Sequence, residues 1–136
     1  MNNQIRKYAK EFLKMERGEK IADPKEIISI SRTVVFTRRS LKHFIESRTA
    51  QGISRSDIYF LLKKASEIIR NPQLSILNPN QSNYPGSFLF GSFYKEKKKA
   101  VIVMLDRKEG ARNIITIYFA KRSAFFKSLS AQEKNE

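Results

Sequence analysis

Apolar residues recur at helical spacing in the first half of this chain and at strand spacing in the second. Ile5, Tyr8, Ala9, Phe12 and Met15 share one helical face, charged residues occupy the rest, and Gly18 is a stop signal. Asp23-Pro24-Lys25-Glu26 then reads as a cap, a first-turn proline and a capping-box glutamate. The helix it opens, about Pro24 to Ile30, is short. Arg32 to Thr37 is β-branched and predicts a strand. A third helix follows from Thr37 or Ser40 to about Gly52, with Leu41, Phe44 and Ile45 as its buried stripe. Ser54 caps a fourth helix, in which Ile58, Leu61, Leu62, Ala65, Ile68 and Ile69 face inward and which Asn71-Pro72 ends.

Beyond Pro72 the period falls to two. Gln73 to Leu77 is a short strand, and Asn78 to Pro85, with two prolines and three asparagines, is a loop. Ser87 to Tyr94 is a strand with Phe88 and Phe90 on one face. Lys99 to Asp106 is apolar on both faces, as a central strand should be. Arg107 to Gly110 turns the chain into a last strand, Arg112 to Phe119. Strict alternation there puts Ile114, Thr116 and Tyr118 on one face and Ile115, Ile117 and Phe119 on the other. Ser123 to Leu129 predicts a short helix, and the polar stretch from Ala131 a frayed end. The expected class is α+β: N-terminal helices, then an antiparallel β-meander of about four strands.

Charge adds the first functional clue. Of 136 residues, 27 are Lys or Arg and 13 are Asp or Glu, a formal net charge of +14 that favours polyanionic partners, above all nucleic acid. Membrane surfaces and acidic proteins are the alternative partners of a basic chain. There is no cysteine, hence no disulfide or thiolate metal site, and a single histidine makes a zinc site unexpected. No apolar run approaches the roughly 18 residues of a membrane span, and no signal-peptide core is evident at the N-terminus. A cytoplasmic protein without metal or cofactor is expected.

The chemistry-bearing residues cluster in two places. His43 lies in the run Thr37-Arg38-Arg39-Ser40-Leu41-Lys42-His43, roughly 150° around the helix from the core stripe. If Ser40 is the cap, His43 falls in the first turn, where the helix dipole favours neutral imidazole; Thr37 is an equally good cap. Arg48 is spaced to point toward the core side, where an unpaired guanidinium is costly, so it should meet a partner or an anion. The plain alternative for this segment is an exposed histidine on a solvated helix. The last strand carries Thr116 and Tyr118, followed by Lys121 and Arg122, a pattern that suits either a phosphate platform or an ordinary solvated sheet face. Tyr84 and Tyr94 are candidates for base stacking.

The order of these elements resembles the barnase/EndoU/colicin/RelE-like ribonuclease fold, most closely its phage- and mobile-element-associated toxin branch. The likeness rests on Val34-Val35-Phe36-Thr37 leading to His43 and Arg48, on the helix ending at Asn71-Pro72, and on the meander closing with Ile114-Ile115-Thr116-Ile117-Tyr118. It spans about residues 31 to 127 and divides the chain into a helical extension (1–30), a nuclease-like domain (31–129) and a polar tail (130–136). The resemblance implies endoribonuclease activity without metal: a ribose 2′-hydroxyl attacks its own phosphate and leaves a 2′,3′-cyclic phosphate. It implies that His43 moves the proton, Arg48 stabilises phosphate charge and Thr116 holds or orients the phosphate, with Arg38, Arg39, Lys42, Tyr118 and Lys121 on the RNA backbone. EndoU-type enzymes use two histidines; here the second role falls to Tyr118, Glu46, Lys121 or water. The implied partners are RNA (tRNA, rRNA or mRNA) and an acidic antitoxin or immunity protein, and a toxin of this kind can be delivered into another cell. A noncatalytic RNA- or DNA-binding module and a phage-associated interaction domain are the rival expectations.

Overall fold

In a computed structural model of the chain, residues 34–35, 38–108 and 111–134 are described. β1 (Val34–Val35) leads to α1 (Arg38–Ala50) and α2 (Arg55–Arg70). Then come β2 (Leu74–Leu77), β3 (Phe88–Tyr94), β4 (Lys99–Lys108), β5 (Ala111–Lys121) and α3 (Arg122–Lys134). One sheet holds five strands in the order β1-β5-β4-β3-β2. β2 to β5 form the antiparallel meander that the alternation predicts, in an α+β fold. The short β1 adds at the edge, parallel to the start of β5, with Val34 opposite Arg112. The two helices expected within residues 1–30 lie outside the described residues.

β4 is apolar on both faces, so both must be covered. Val101, Val103 and Leu105 point to one side, where with Phe88, Phe90, Ile114 and Ile117 they meet the stripes of α1 and α2. Ala100, Ile102 and Met104 point to the other, where they pack with Leu74, Leu89 and Phe125 of α3. Gly91 of β3 makes the second contact close. A Cβ there would lie 2.7 Å from Ile102 Cδ1 and 3.2 Å from both Phe125 Cε1 and the Val101 carbonyl oxygen.

Two expectations change. The final helix is not the short Ser123–Leu129 segment followed by a frayed tail; it continues to Lys134. The reason is tertiary. Leu129 packs against the second core, and Gln132 Oε1 accepts the Ser75 N–H at 2.7 Å, closing a backbone donor on the outer edge of β2. The alternation of β5 also breaks. Leu105 pairs with Ile114 and Met104 with Thr116, so Ile115 is an extra residue, a β-bulge. Ile114 and Ile117 therefore share the α1/α2 face with Phe119, and Ile115 packs on the α3 face with Tyr118. Thr116, opposite Met104, belongs to that α3 face as well.

Replacing Gly91 with valine should force β3 and α3 apart. We expect Gly91→Val to lower unfolding stability by about 1–3 kcal/mol in urea melts. An unchanged midpoint would mean that α3 does not depend on this close approach.

Candidate phosphate-binding site

Arg48 owes its position to the way α1 stops. Gly52 adopts a left-handed φ of 81°. Its N–H donates to the Thr49 carbonyl at 3.0 Å, and the Ile53 N–H donates to the Arg48 carbonyl at 3.1 Å. These are the two bonds of a Schellman motif. Ile53 packs on the first core, and Ser54 Oγ accepts the Asp57 N–H at 3.2 Å to open α2 at once. The Arg48 backbone is thus held from both sides. Its side chain follows Leu41, Phe44 and Ile45 toward the core and is half-buried. Nε is sealed from solvent and, among the described residues, has no hydrogen-bond partner. Burial pulls the guanidinium pKa down from its ordinary value, and the Tyr118 phenol acts in the opposite sense.

Tyr118 is the other half of this relation. Burial raises its pKa, the Arg48 cation draws it back, and Tyr84 pushes it up again. Tyr118 therefore lies within electrostatic reach of both Arg48 and Tyr84. Arg48 comes from the α1 side of the sheet and Tyr118 stands on the α3 side. Among the described residues no strand pairs with the outer side of β5 beyond Arg112 and Asn113, where β1 ends. Thr116 shares the Tyr118 face two residues earlier.

Tyr84 is presented by the segment between β2 and β3, which is tightly organised. Asn78 is buried, donates from Nδ2 to Ser87 Oγ at 3.0 Å, and accepts the Asn80 N–H at 3.0 Å in an Asx-turn. Gln81 ties the base of the loop: Nε2 donates to the carbonyls of Asn78 (2.8 Å) and Ser87 (2.9 Å), and Oε1 accepts the Gly86 N–H (2.8 Å). The Tyr84 backbone is held at both ends, N–H to the Asn80 carbonyl at 3.1 Å and carbonyl from Ser87 Oγ at 2.7 Å. Its side chain is nevertheless 41% exposed. Asn78 and Gln81 were not singled out from the sequence. The Asn-Pro-Asn turn signal marks the loop but does not reveal a latch to Ser87.

His43 is not brought to this place. α1 begins at Arg38, so Ser40 lies inside the helix and His43 sits past the first turn. The dipole argument for a neutral imidazole therefore does not apply. His43 is exposed on the outward face of α1 with Arg39 and Lys42, and its Nε2 lies 3.5 Å from Ser47 Oγ. α1 packs on one face of the sheet and Thr116 faces the other, so helix and sheet separate the imidazole from the hydroxyl. The expected grouping of His43, Arg48 and Thr116 does not form. Arg38 opens the same helix, and Lys121, exposed, ends β5.

Tyr94 also departs from expectation. Its ring packs edge-on to Phe60 at 5.4 Å, with Lys64 Nζ 5.2 Å from its centroid and its hydroxyl 3.4 Å from Glu67 Oε2. Burial and Glu67 raise its pKa. These contacts occupy the ring that stacking would need.

Comparison with known protein families, curated proteins and solved structures gives no match to this chain. Among the described residues, no three metal-ligating side chains gather at one place, and no helix is long and apolar enough to cross a membrane.

A half-buried cation with an unpaired Nε contributes little to stability by itself. Arg48→Met should leave the protein as stable or raise its stability by up to about 2 kcal/mol. A loss of stability in thermal or urea unfolding would show that Arg48 serves the fold rather than a ligand.

Proposed function

We propose that this chain binds RNA through a phosphate held at Arg48, Tyr118 and Thr116, and cleaves it by 2′-hydroxyl transesterification. The observation that carries the reading is Arg48, its backbone fixed by the α1 cap and its guanidinium half-buried near the Tyr118 phenol, with an Nε that no group among the described residues satisfies. Arg48 as a whole is only half-buried, so the remaining donors of its fork can meet phosphate oxygens. The +14 charge favours a polyanion as their source.

The chemistry follows from the same groups. Arg48 stabilises charge on the pentacoordinate phosphate, and Thr116 donates to or orients a non-bridging oxygen. Burial keeps the Tyr118 phenol protonated beyond the ordinary tyrosine range despite the guanidinium nearby. It is thus suited to give its proton to the departing 5′-oxygen. The 2′-hydroxyl loses its proton to water or hydroxide as the 2′-oxygen bonds to phosphorus. The bond from phosphorus to the 5′-oxygen then breaks, and solvent returns a proton to the phenolate. His43 has no part in these steps; Arg39, Lys42 and Lys121 belong to the cationic surface that can meet the backbone.

A noncatalytic RNA-binding module is the second reading. It is favoured by the placement of His43, the chain's one imidazole, away from Thr116.

Incubation of total RNA with the protein in EDTA separates the two. Wild type should generate 2′,3′-cyclic phosphate ends, and Arg48→Ala should abolish them. Tyr118→Phe should slow the reaction on the order of 100-fold, the scale of a lost general acid. His43→Ala should cut at the wild-type rate. The wild-type rate should rise through neutral pH, with Tyr118 imposing no fall until the solution passes about pH 10, because the acid must stay protonated and its pKa is raised. Binding without cleavage would leave the second reading; loss of activity in His43→Ala alone would refute the proposed centre.

A further inference from the structure

The hydrogen-bonded loop between β2 and β3 presents an exposed ring. Seven hydrogen bonds described above hold the 78–87 segment together, and two of them fix the Tyr84 backbone directly. Gly86, with φ of 76°, makes the return that brings Ser87 back under Tyr84. Nothing in the core needs the Tyr84 side chain: it belongs to neither apolar cluster. Yet the base of its loop meets the sheet beside the site: Asn78 Nδ2 lies 3.7 Å from Met104 Sδ, and Met104 pairs with Thr116 on the face that carries Tyr118. An exposed aromatic on a loop of low conformational freedom, near a guanidinium that can hold a phosphate, is an arrangement that can read a base next to its own phosphate.

From this placement we infer that Tyr84 is a stacking platform for a nucleobase adjacent to the phosphate at Arg48, and that the site takes unpaired rather than duplex RNA. The inference rests on the phosphate-binding reading above and specifies its substrate class. A base within a duplex has its faces covered by its neighbours, and A-form geometry hides them from a protein ring. Only an unstacked nucleotide can lay a face on Tyr84 while its phosphate reaches the Arg48–Tyr118 edge. Tyr94, the other candidate ring, is occupied by Phe60 and Lys64 and does not compete for this role. A stacking ring needs its π-face and not its hydroxyl, so phenylalanine should serve at position 84 and alanine should not.

The test measures binding of a fluorescent 2′-O-methyl RNA, which cannot undergo the cleavage step, as a single strand and as the same sequence in a duplex at one ionic strength. Wild type should hold the single strand about tenfold more tightly, the scale of one base stacked on an aromatic ring. Tyr84→Phe should keep that preference, and Tyr84→Ala should reduce the two affinities to near parity. A thermal melt of Tyr84→Ala matching wild type confirms that the loop is intact; if it does not match, Tyr84→Leu, apolar and of comparable bulk but without a π-face, takes its place. Equal wild-type affinity for strand and duplex, or a preference that survives in the variant lacking the ring, overturns the platform and leaves phosphate binding standing. Failure of wild type to bind either form overturns both.

Discussion

β4 is the constraint on which the fold turns. A strand that is apolar on both sides cannot rest on one layer, and each of its faces recruits different material. α1 and α2 supply aliphatic stripes to one side, while α3 and the β2–β3 loop supply the other. The division is uneven. The first core is large and continuous. The second is smaller, and Met104 at its far end is met by the buried amide of Asn78 at 3.7 Å rather than by a helix. The region around Thr116 and Tyr118 lies where the α3 cover gives way to the loop, and it is there that the polar chemistry collects.

The bulge at Ile115 sharpens that outcome. With one extra residue in β5, isoleucines on either side of it stay in the first core while a threonine and a tyrosine turn to the second face. Without it, the residues on one side of the break would exchange faces. Bulges beside strand edges commonly re-aim side chains in this way. Here the result is a phenol directed to the margin of the sheet, opposite an arginine delivered by a helix cap.

Much of this architecture was legible in the pattern of residues. The α2 stripe from Ile58 to Ile69, the Ser54 cap, the two-faced β4 and the coreward Arg48 all follow from local spacing, because local hydrogen bonding and burial of a stripe determine them. The Thr116 and Tyr118 pair was also correctly kept on one face. What spacing cannot supply is which sheet face a helix will cover. That choice set His43 apart from Thr116, although both are polar positions on amphipathic elements. The bulge escaped because an extra residue in a run of isoleucines leaves no compositional mark. The length of α3 escaped because Gln132 reads as polar tail until Ser75, 57 positions earlier, is seen to need it.

The aromatic cluster at the β3–β4 end bears on how the protein's charge is distributed. Lys97 Nζ sits 2.7 Å from Asp57 Oδ1 and 5.1 Å from the Phe60 centroid, Lys64 is 3.3 Å from Glu67, and Lys99 lies over Phe119 at 5.4 Å. Each of these ammonium groups already has a carboxylate or a π-face as company. To engage a phosphate it must first surrender that company, so the exchange there is close to break-even. Formal charge thus overstates what this end offers an incoming polyanion.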